Sequence, residues 1–333
     1  MRRGDFIAMV GAFAVATAMS PLAARAQQGG RIRRVVVWIG GNPRDPESRG
    51  RGDTFRDAMR ELGWIDGRNV AIEIRFPLTN APEETRAAAA GLIALNPDVI
   101  VSTGAPILGA LHRRTKTVPI VFTLVTDPVT DGFVASLARP GGNITGFTIF
   151  EHSFAGKWLE MLKEVVPGIT RVAVMQNADH PAWNAYLRAI GTIAAGMGVE
   201  MTPTPANSVT EIESAIEAFA RLPNGGLVLL PSPVGTTHRA TIANAALRHR
   251  LPSIYMARNY AVAGGLMSYG VVISEPYRQA AAYVDRILKG AKPGDLPVQA
   301  ASKFELVFNL KTAKSLGITV PATMLGRADE VIE

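Results

Sequence analysis

The chain has 333 residues, with 35 Lys+Arg, 28 Asp+Glu and no Cys, and 47% of it is apolar. This globular composition excludes wholesale disorder and coiled coil, and the missing cysteine excludes disulfides, thiolate nucleophiles and Cys-held zinc or iron–sulfur centres. Arg2, Arg3, Arg25 and Asp5 precede residue 27, so the net charge of +7 falls to +5 beyond it, with no basic stripe interleaved with aromatics of the kind that reads nucleic acid.

The first 26 residues read as a removable export signal. Met1-Arg2-Arg3-Gly4 is a short positive start, Phe6 to Met19 is apolar, and Ala24-Arg25-Ala26 offers a small-x-small cleavage site before Gln27. The apolar run of 14 residues is short of the ~20 a membrane-spanning helix needs. The paired arginines leave the route open between the twin-arginine and general secretory pathways. With no Cys at the cleavage site there is no lipid anchor, so the mature chain is expected free in the periplasm, as a monomer.

From Arg31 onward, short β-rich runs alternate with helical patterns. The first series is Val35–Ile39, Val70–Phe76, Val99–Ser102, Ile120–Val125 and Ile144–Thr148. The second is Val172–Gln176, Val199–Pro203, Leu227–Leu230, Ser253–Met256 and Leu266–Tyr269. Several runs are continuously apolar, as parallel strands covered on both faces must be. Between them, Phe55, Ala58, Met59 and Leu62 keep helical spacing up to Gly63, and Phe154, Trp158, Met161, Leu162 and Val165 do so up to Pro167. Ser208-x-x-Glu211 is a capping box opening the stripe Val209, Ile212, Ile216 and Phe219. A last helix is predicted from about Ser274 to Lys289, and a last strand over Phe304–Asn309.

The two series match in order. Arg34 pairs with Arg171 at an offset of 137, Asp98 with Gly226 at 128, and Pro119 with Pro252 at 133. A near-constant offset points to two similar α/β lobes, each a doubly wound parallel sheet, with a ligand cleft beyond the carboxyl ends of their strands.

Catalytic patterns are missing from this sequence. No two of the five histidines stand three to five residues apart, and there is no nucleophile elbow, His-Glu-x-x-His, phosphate loop or dinucleotide fingerprint. The chain therefore reads as a non-enzyme without metal or cofactor. What remains is polar residues at strand ends. Thr103-Gly104-Ala105 follows the third strand and offers a hydroxyl and free N–H groups to a carboxylate, or simply caps a helix. Thr126-Asp127-Pro128 follows the fourth; Asp127 either accepts from an ammonium group or caps the turn. In the second half Asn177, Ser232 and Arg258 stand at equivalent places, and Tyr255, Tyr260 and Tyr269 are candidates for a flat apolar surface or for core.

Several stretches carry a family resemblance. They are Pro119-Ile-Val-Phe with Thr126-Asp-Pro-Val129, Arg139-Pro-Gly-Gly-Asn-Ile-Thr-Gly146, Gly264-Gly-Leu-Met-Ser-Tyr-Gly270 and Lys303-Phe-Glu-Leu-Val-Phe-Asn-Leu-Lys311, together with the N-terminal signal. In combination the whole chain resembles a solute-binding protein of an ABC importer, in the subgroup related to tryptophan- and phenylalanine-binding proteins. The resemblance implies a type I periplasmic-binding fold whose chain crosses between lobes near Gly146, Gly270 and Lys303. Lobe 1 would be residues 31–146 plus 271–302, and lobe 2 residues 147–270 plus 303–333. It implies capture of a small carboxylate-bearing solute, an amino acid with aromatic ones among the candidates, for delivery to a membrane permease and its ATPase. A periplasmic ligand sensor serving a signalling partner is the alternative. Pro231-Ser232-Pro233 departs from relatives, which often carry Asp before Pro there.

Overall fold

The apolar runs form two separate sheets in a computed structural model that describes residues 31–77, 81–149, 154–176 and 183–333. The export signal with its cleavage site, and Asn177, lie outside the described residues.

Lobe 1 begins with β1 (Arg33–Trp38), α1 (Pro46–Glu61), β2 (Val70–Arg75), α2 (Pro82–Ala94), β3 (Val99–Thr103), α3 (Gly104–His112), β4 (Ile120–Val125) and β5 (Ile144–Thr148). Lobe 2 follows with α4 (Phe154–Val165), β6 (Arg171–Gln176), α5 (Trp183–Gly196), β7 (Glu200–Pro205), α6 (Val209–Ala220) and β8 (Gly225–Leu229). It continues through α7 (Pro233–Thr237), α8 (Arg239–Arg248), β9 (Ser253–Tyr255), α9 (Arg258–Val262) and β10 (Met267–Val271). The chain returns to lobe 1 for α10 (Glu275–Leu288) and β11 (Gln299–Ala300). It ends in lobe 2 with β12 (Phe304–Asn309), α11 (Leu310–Leu316), α12 (Ala322–Leu325) and β13 (Glu330–Ile332).

The first sheet has the order β2-β1-β3-β4-β5-β11 and is parallel throughout. The second has the order β7-β6-β8-β9-β10-β12-β13, parallel except where β12 runs against β10. The shared order of β2-β1-β3-β4 and β7-β6-β8-β9 accounts for the near-constant offset in the sequence.

Each sheet is buried on both faces, which is why its central strands are unbroken apolar runs. In lobe 1, Phe55 of α1 and Tyr277, Ala281 and Val284 of α10 cover one face, and Ala89, Leu92, Leu108 and Leu111 of α2 and α3 the other. In lobe 2, Trp158 and Leu162 of α4 and Tyr186 and Ile190 of α5 cover one face, and Ile212, Ile216 and Ile242 of α6 and α8 the other. The box that opens α6 forms: Ser208 Oγ accepts from the Glu211 N–H at 3.2 Å, while the Glu211 carboxylate reaches back to the Asn207 N–H at 2.8 Å.

The chain changes sheet three times: between Thr148 and Phe154, between Val271 and Glu275, and between Ala300 and Phe304. Lys303 lies in the third crossing. Gly146 and Gly270, near which the first two crossings are expected, sit inside β5 and β10. A Cβ on Gly146 would lie 2.1 Å from the Phe122 carbonyl oxygen, and one on Gly270 1.6 Å from that of Met256. Their glycine is required by close strand contact, and the crossings follow a few residues later. Leu124 links the two lobes. At the irregularity of β4 it takes φ 56°, and its side chain packs against both the α1–α10 core and the α4–α5 core.

Candidate functional site

The segments that follow strands in the two lobes meet across a cleft. Pro46 opens α1, and the preceding Asp45 accepts from Arg239, the first residue of α8, at 2.9 Å. Around this contact lies a cavity of about 930 Å³. Asn42, Glu47 and Arg51 wall it from lobe 1, Thr236, Arg239, Arg258 and Asn259 from lobe 2, and the second crossing, Val272–Ser274, closes it with Glu305.

Charge in this cavity is largely paired. Arg258 donates to both carboxylate oxygens of Glu330 on β13, at 2.5 and 2.7 Å, and that bond holds the Glu330 pKa below the ordinary value. Glu305 goes the other way: burial raises its pKa, against the opposing pull of Arg258.

The β3–α3 turn, where the sequence leads one to expect a carboxylate site, is not among the residues that wall this cavity. Gly104 has φ 75°, which lets α3 start directly on the end of β3 and leaves the first N–H groups of the helix without intrahelical acceptors. The Thr103 hydroxyl, beside them, is 2.7 Å from the Tyr277 hydroxyl. Thr126 and Asp127, at the end of β4, are half-buried. Asp127 Oδ1 accepts from the Thr130 N–H at 3.0 Å, so the turn-capping role is realised. From lobe 2, Tyr186 of α5 approaches the same two residues: burial raises its pKa, Thr126 opposes the rise and the Asp127 carboxylate adds to it.

The sequence-predicted residues thus divide. Thr103, Gly104 and Ala105 form one turn, and Thr126 and Asp127 another that faces lobe 2. Ser232 caps α7, accepting from the Gly235 N–H at 2.9 Å, and Arg258 lines the cavity. Tyr260 is the correction: its ring stacks on Tyr255 at 4.9 Å and each is 1% exposed, so both belong to the core of lobe 2. Tyr269 packs on Phe154 at 5.1 Å beside the crossings. Sequence reasoning passed over Asp45, Glu47, Arg51, Arg239 and Tyr277. The signal for the first three was available, since the polar run Asn42–Ser48 follows a strand just as Thr103 does; Tyr277 and Arg239 needed the return of α10 and the lobe contact.

Among the described residues no helix is long and apolar enough to cross a membrane.

The family described as "ABC transporter substrate binding protein" matches residues 35–332. A tyrosine-binding protein of Clostridioides difficile is 25% identical over 268 residues, which is 79% of this chain and 75% of the relative. Among solved structures, a conserved domain protein from Vibrio cholerae superposes with a TM-score of 0.80 at 29% identity, covering 90% of this chain and 99% of that one. A Streptococcus ABC domain in complex with L-Trp gives 0.80 at 22% identity, covering 91% and 100%. A ligand-free, open substrate-binding protein with adhesive properties from Clostridium difficile gives 0.69 at 21% identity, covering 91% and 99%.

Proposed function

The chain belongs to the ABC transporter substrate-binding proteins, a family of solute receptors and not of enzymes, and from that premise we propose that it captures an amino acid in the cleft between its lobes and delivers it to a membrane permease in the periplasm. The observation that carries the reading is the β3–α3 turn. Thr103 and the N–H groups that open α3 present donors at the end of a strand, where an anionic group gains charge-assisted hydrogen bonds and the favourable end of the helix dipole. Asp127, just after the neighbouring strand β4 of the same lobe, supplies the negative partner for an ammonium group. The cavity residues Thr236 and Arg239 bring lobe 2 to the ligand, so their contacts exist only when the lobes are together.

The aromatic part of the proposal rests on the tyrosine-binding relative and the L-Trp complex. A thermal-shift screen of residues 27–333 against the amino acids and small aromatic acids tests it. A ligand at a hundred times its Kd adds about 2.7 kcal/mol to the folded state, so L-tyrosine, L-tryptophan or L-phenylalanine should raise the melting temperature while the corresponding amines without a carboxylate should not.

A further inference from the structure

Two glycines stand inside α1, and protein packing accounts for only one of them. A glycine in a helix interior costs stability relative to alanine. At Gly52 the reason is contact: a Cβ would come within 3.3 Å of Ile39 Cδ1 and 3.4 Å of Ile74, where the helix lies on β2 and the end of β1. At Gly50 a Cβ would meet nothing within 4 Å beyond its own helix backbone, and the residue lines the cavity between the lobes.

The polar groups beside Gly50 on this face of α1 are occupied. Arg51 donates to the Gly40 carbonyl at 3.3 Å and to the Glu47 carboxylate at 3.2 Å, and Thr54 Oγ1 donates to the Gly50 carbonyl at 2.8 Å. Between them α1 presents bare backbone to the cavity. From lobe 2, Val262 of α9 lines the same cavity, is 53% exposed and belongs to none of the hydrophobic cores. Val272 and Ile273 of the second crossing continue this apolar wall. Among the described residues no Phe, Tyr or Trp lines the cavity. Each lobe thus offers an apolar surface, and the chain supplies no ring to lie between them.

We propose that Gly50 and Val262 are contact residues for an aromatic side chain of the ligand, the ring lying against the bare face of α1 with Val262 on the side of lobe 2. Gly50 then determines specificity, because any side chain there enters the space of the ring. The occupant is a planar ring for three reasons. A helix face without a Cβ is matched by a flat group, the polar neighbours of that face need no further partner, and the tyrosine-binding relative and the L-Trp complex bind molecules that carry such a ring. A cavity of about 930 Å³ has room for it. The proposal rests on the reading that the solute is an amino acid held between the lobes, and it adds where the side chain goes.

Alanine at Gly50 separates a ligand contact from a packing role, since the two predict opposite signs for stability. Gly91 of α2 is the control: it too has nothing within 4 Å, and it is exposed and outside the cavity. Gly50→Ala and Gly91→Ala should both raise the urea midpoint of the ligand-free protein. Only Gly50→Ala should weaken the tightest binder among L-tryptophan, L-tyrosine and L-phenylalanine in calorimetric titration, by about tenfold or more. Val262→Asn should weaken it about fivefold. A Gly50→Ala variant that binds as tightly as wild type, or that loses stability where Gly91→Ala gains it, overturns the proposal. If wild type binds none of the three, the aromatic amino acid reading falls by itself, and indole at millimolar concentration becomes the probe, followed by equilibrium dialysis. Indole binding weakened by Gly50→Ala and unaltered by Gly91→Ala upholds the ring contact; binding that is absent, or equal in all three proteins, overturns it.

Discussion

Asp45 of lobe 1 and Arg239 of lobe 2 form an ion pair across the cleft at 2.9 Å, with 14% and 24% of their side chains exposed. Each is anchored within its own lobe: Asp45 Oδ2 accepts from Ser48 Oγ at 3.1 Å, and Arg239 Nη1 donates to the Thr236 carbonyl at 3.0 Å. The pair is thus prepaid in orientation and stabilises the state in which the lobes meet. Asp45→Asn keeps the size and the Ser48 contact but removes the charge. At about 1 kcal/mol for such a pair, ligand affinity should fall about three- to tenfold, chiefly through faster dissociation. Titration calorimetry with stopped-flow release measures both; an unchanged dissociation rate would show that the contact does not hold the lobes together.

Asp127 has a demonstrated structural duty, so the informative substitution preserves it. Asp127→Asn retains a carbonyl oxygen for the Thr130 N–H and removes the charge. If Asp127 also receives the ligand ammonium, affinity for an amino acid should drop about tenfold or more with little change in melting temperature, since a hydrogen bond to a charged group is worth about 1.5–3 kcal/mol. Unaltered binding in a normally stable variant would confine Asp127 to the turn.

Gly270 should tolerate no side chain. Its Cβ would meet the Met256 carbonyl oxygen at 1.6 Å, backbone against backbone at the strand that leads into the second crossing. Gly270→Ala is expected to lose more than about 3 kcal/mol of stability or to fail to accumulate. Gly63→Ala, at φ 87° with nothing within 4 Å, pays only the backbone strain of about 1–2 kcal/mol. Urea unfolding ranks the two; the reverse order would contradict the strand packing described here.

Asp98 gives a pH signature of stability. Burial alone would raise its pKa, but the Arg34 N–H at 2.8 Å and the Arg33 guanidinium at 3.0 Å, with Arg31 beyond, hold it below the ordinary value of 3.8. A carboxyl depressed in the folded state contributes stability that is present above its unfolded pKa and lost as pH falls through the folded one. Asp98→Asn should therefore be less stable than wild type at neutral pH, with the gap closing only below the ordinary carboxylate range. Urea midpoints measured from pH 7 down to pH 3 test this; a gap independent of pH would assign the loss to packing instead.

The architecture was legible because parallel strands buried on both faces leave unbroken apolar runs, and because β1, β3 and β4 repeat in β6, β8 and β9. The crossings follow a few residues after Gly146 and Gly270, and a strand glycine required by backbone contact looks the same in sequence as one that turns. The candidate site was legible only in part. Strand ends such as Thr103 and Asp127 can be read from local pattern. Tyr260 could not be separated from a ligand surface, because its partner Tyr255 sits on another element. Asp45–Arg239 and Tyr277–Thr103 join residues 194 and 174 positions apart, and no local pattern announces such pairs.

The central claim is that a ligand holds the two lobes together, and small-angle scattering of residues 27–333 tests it most directly. Data are collected without ligand and at saturation with the amino acid that the thermal-shift screen returns. A micromolar ligand brings about 8.2 kcal/mol at standard state, and reversing a 99:1 excess of separated lobes takes a differential of about 5.5 kcal/mol. Closure is thus within reach if most contacts need both lobes. The account predicts a smaller radius of gyration on saturation, with Asp45→Asn more expanded than wild type before ligand is added. A radius unchanged by a ligand that demonstrably binds would contradict it.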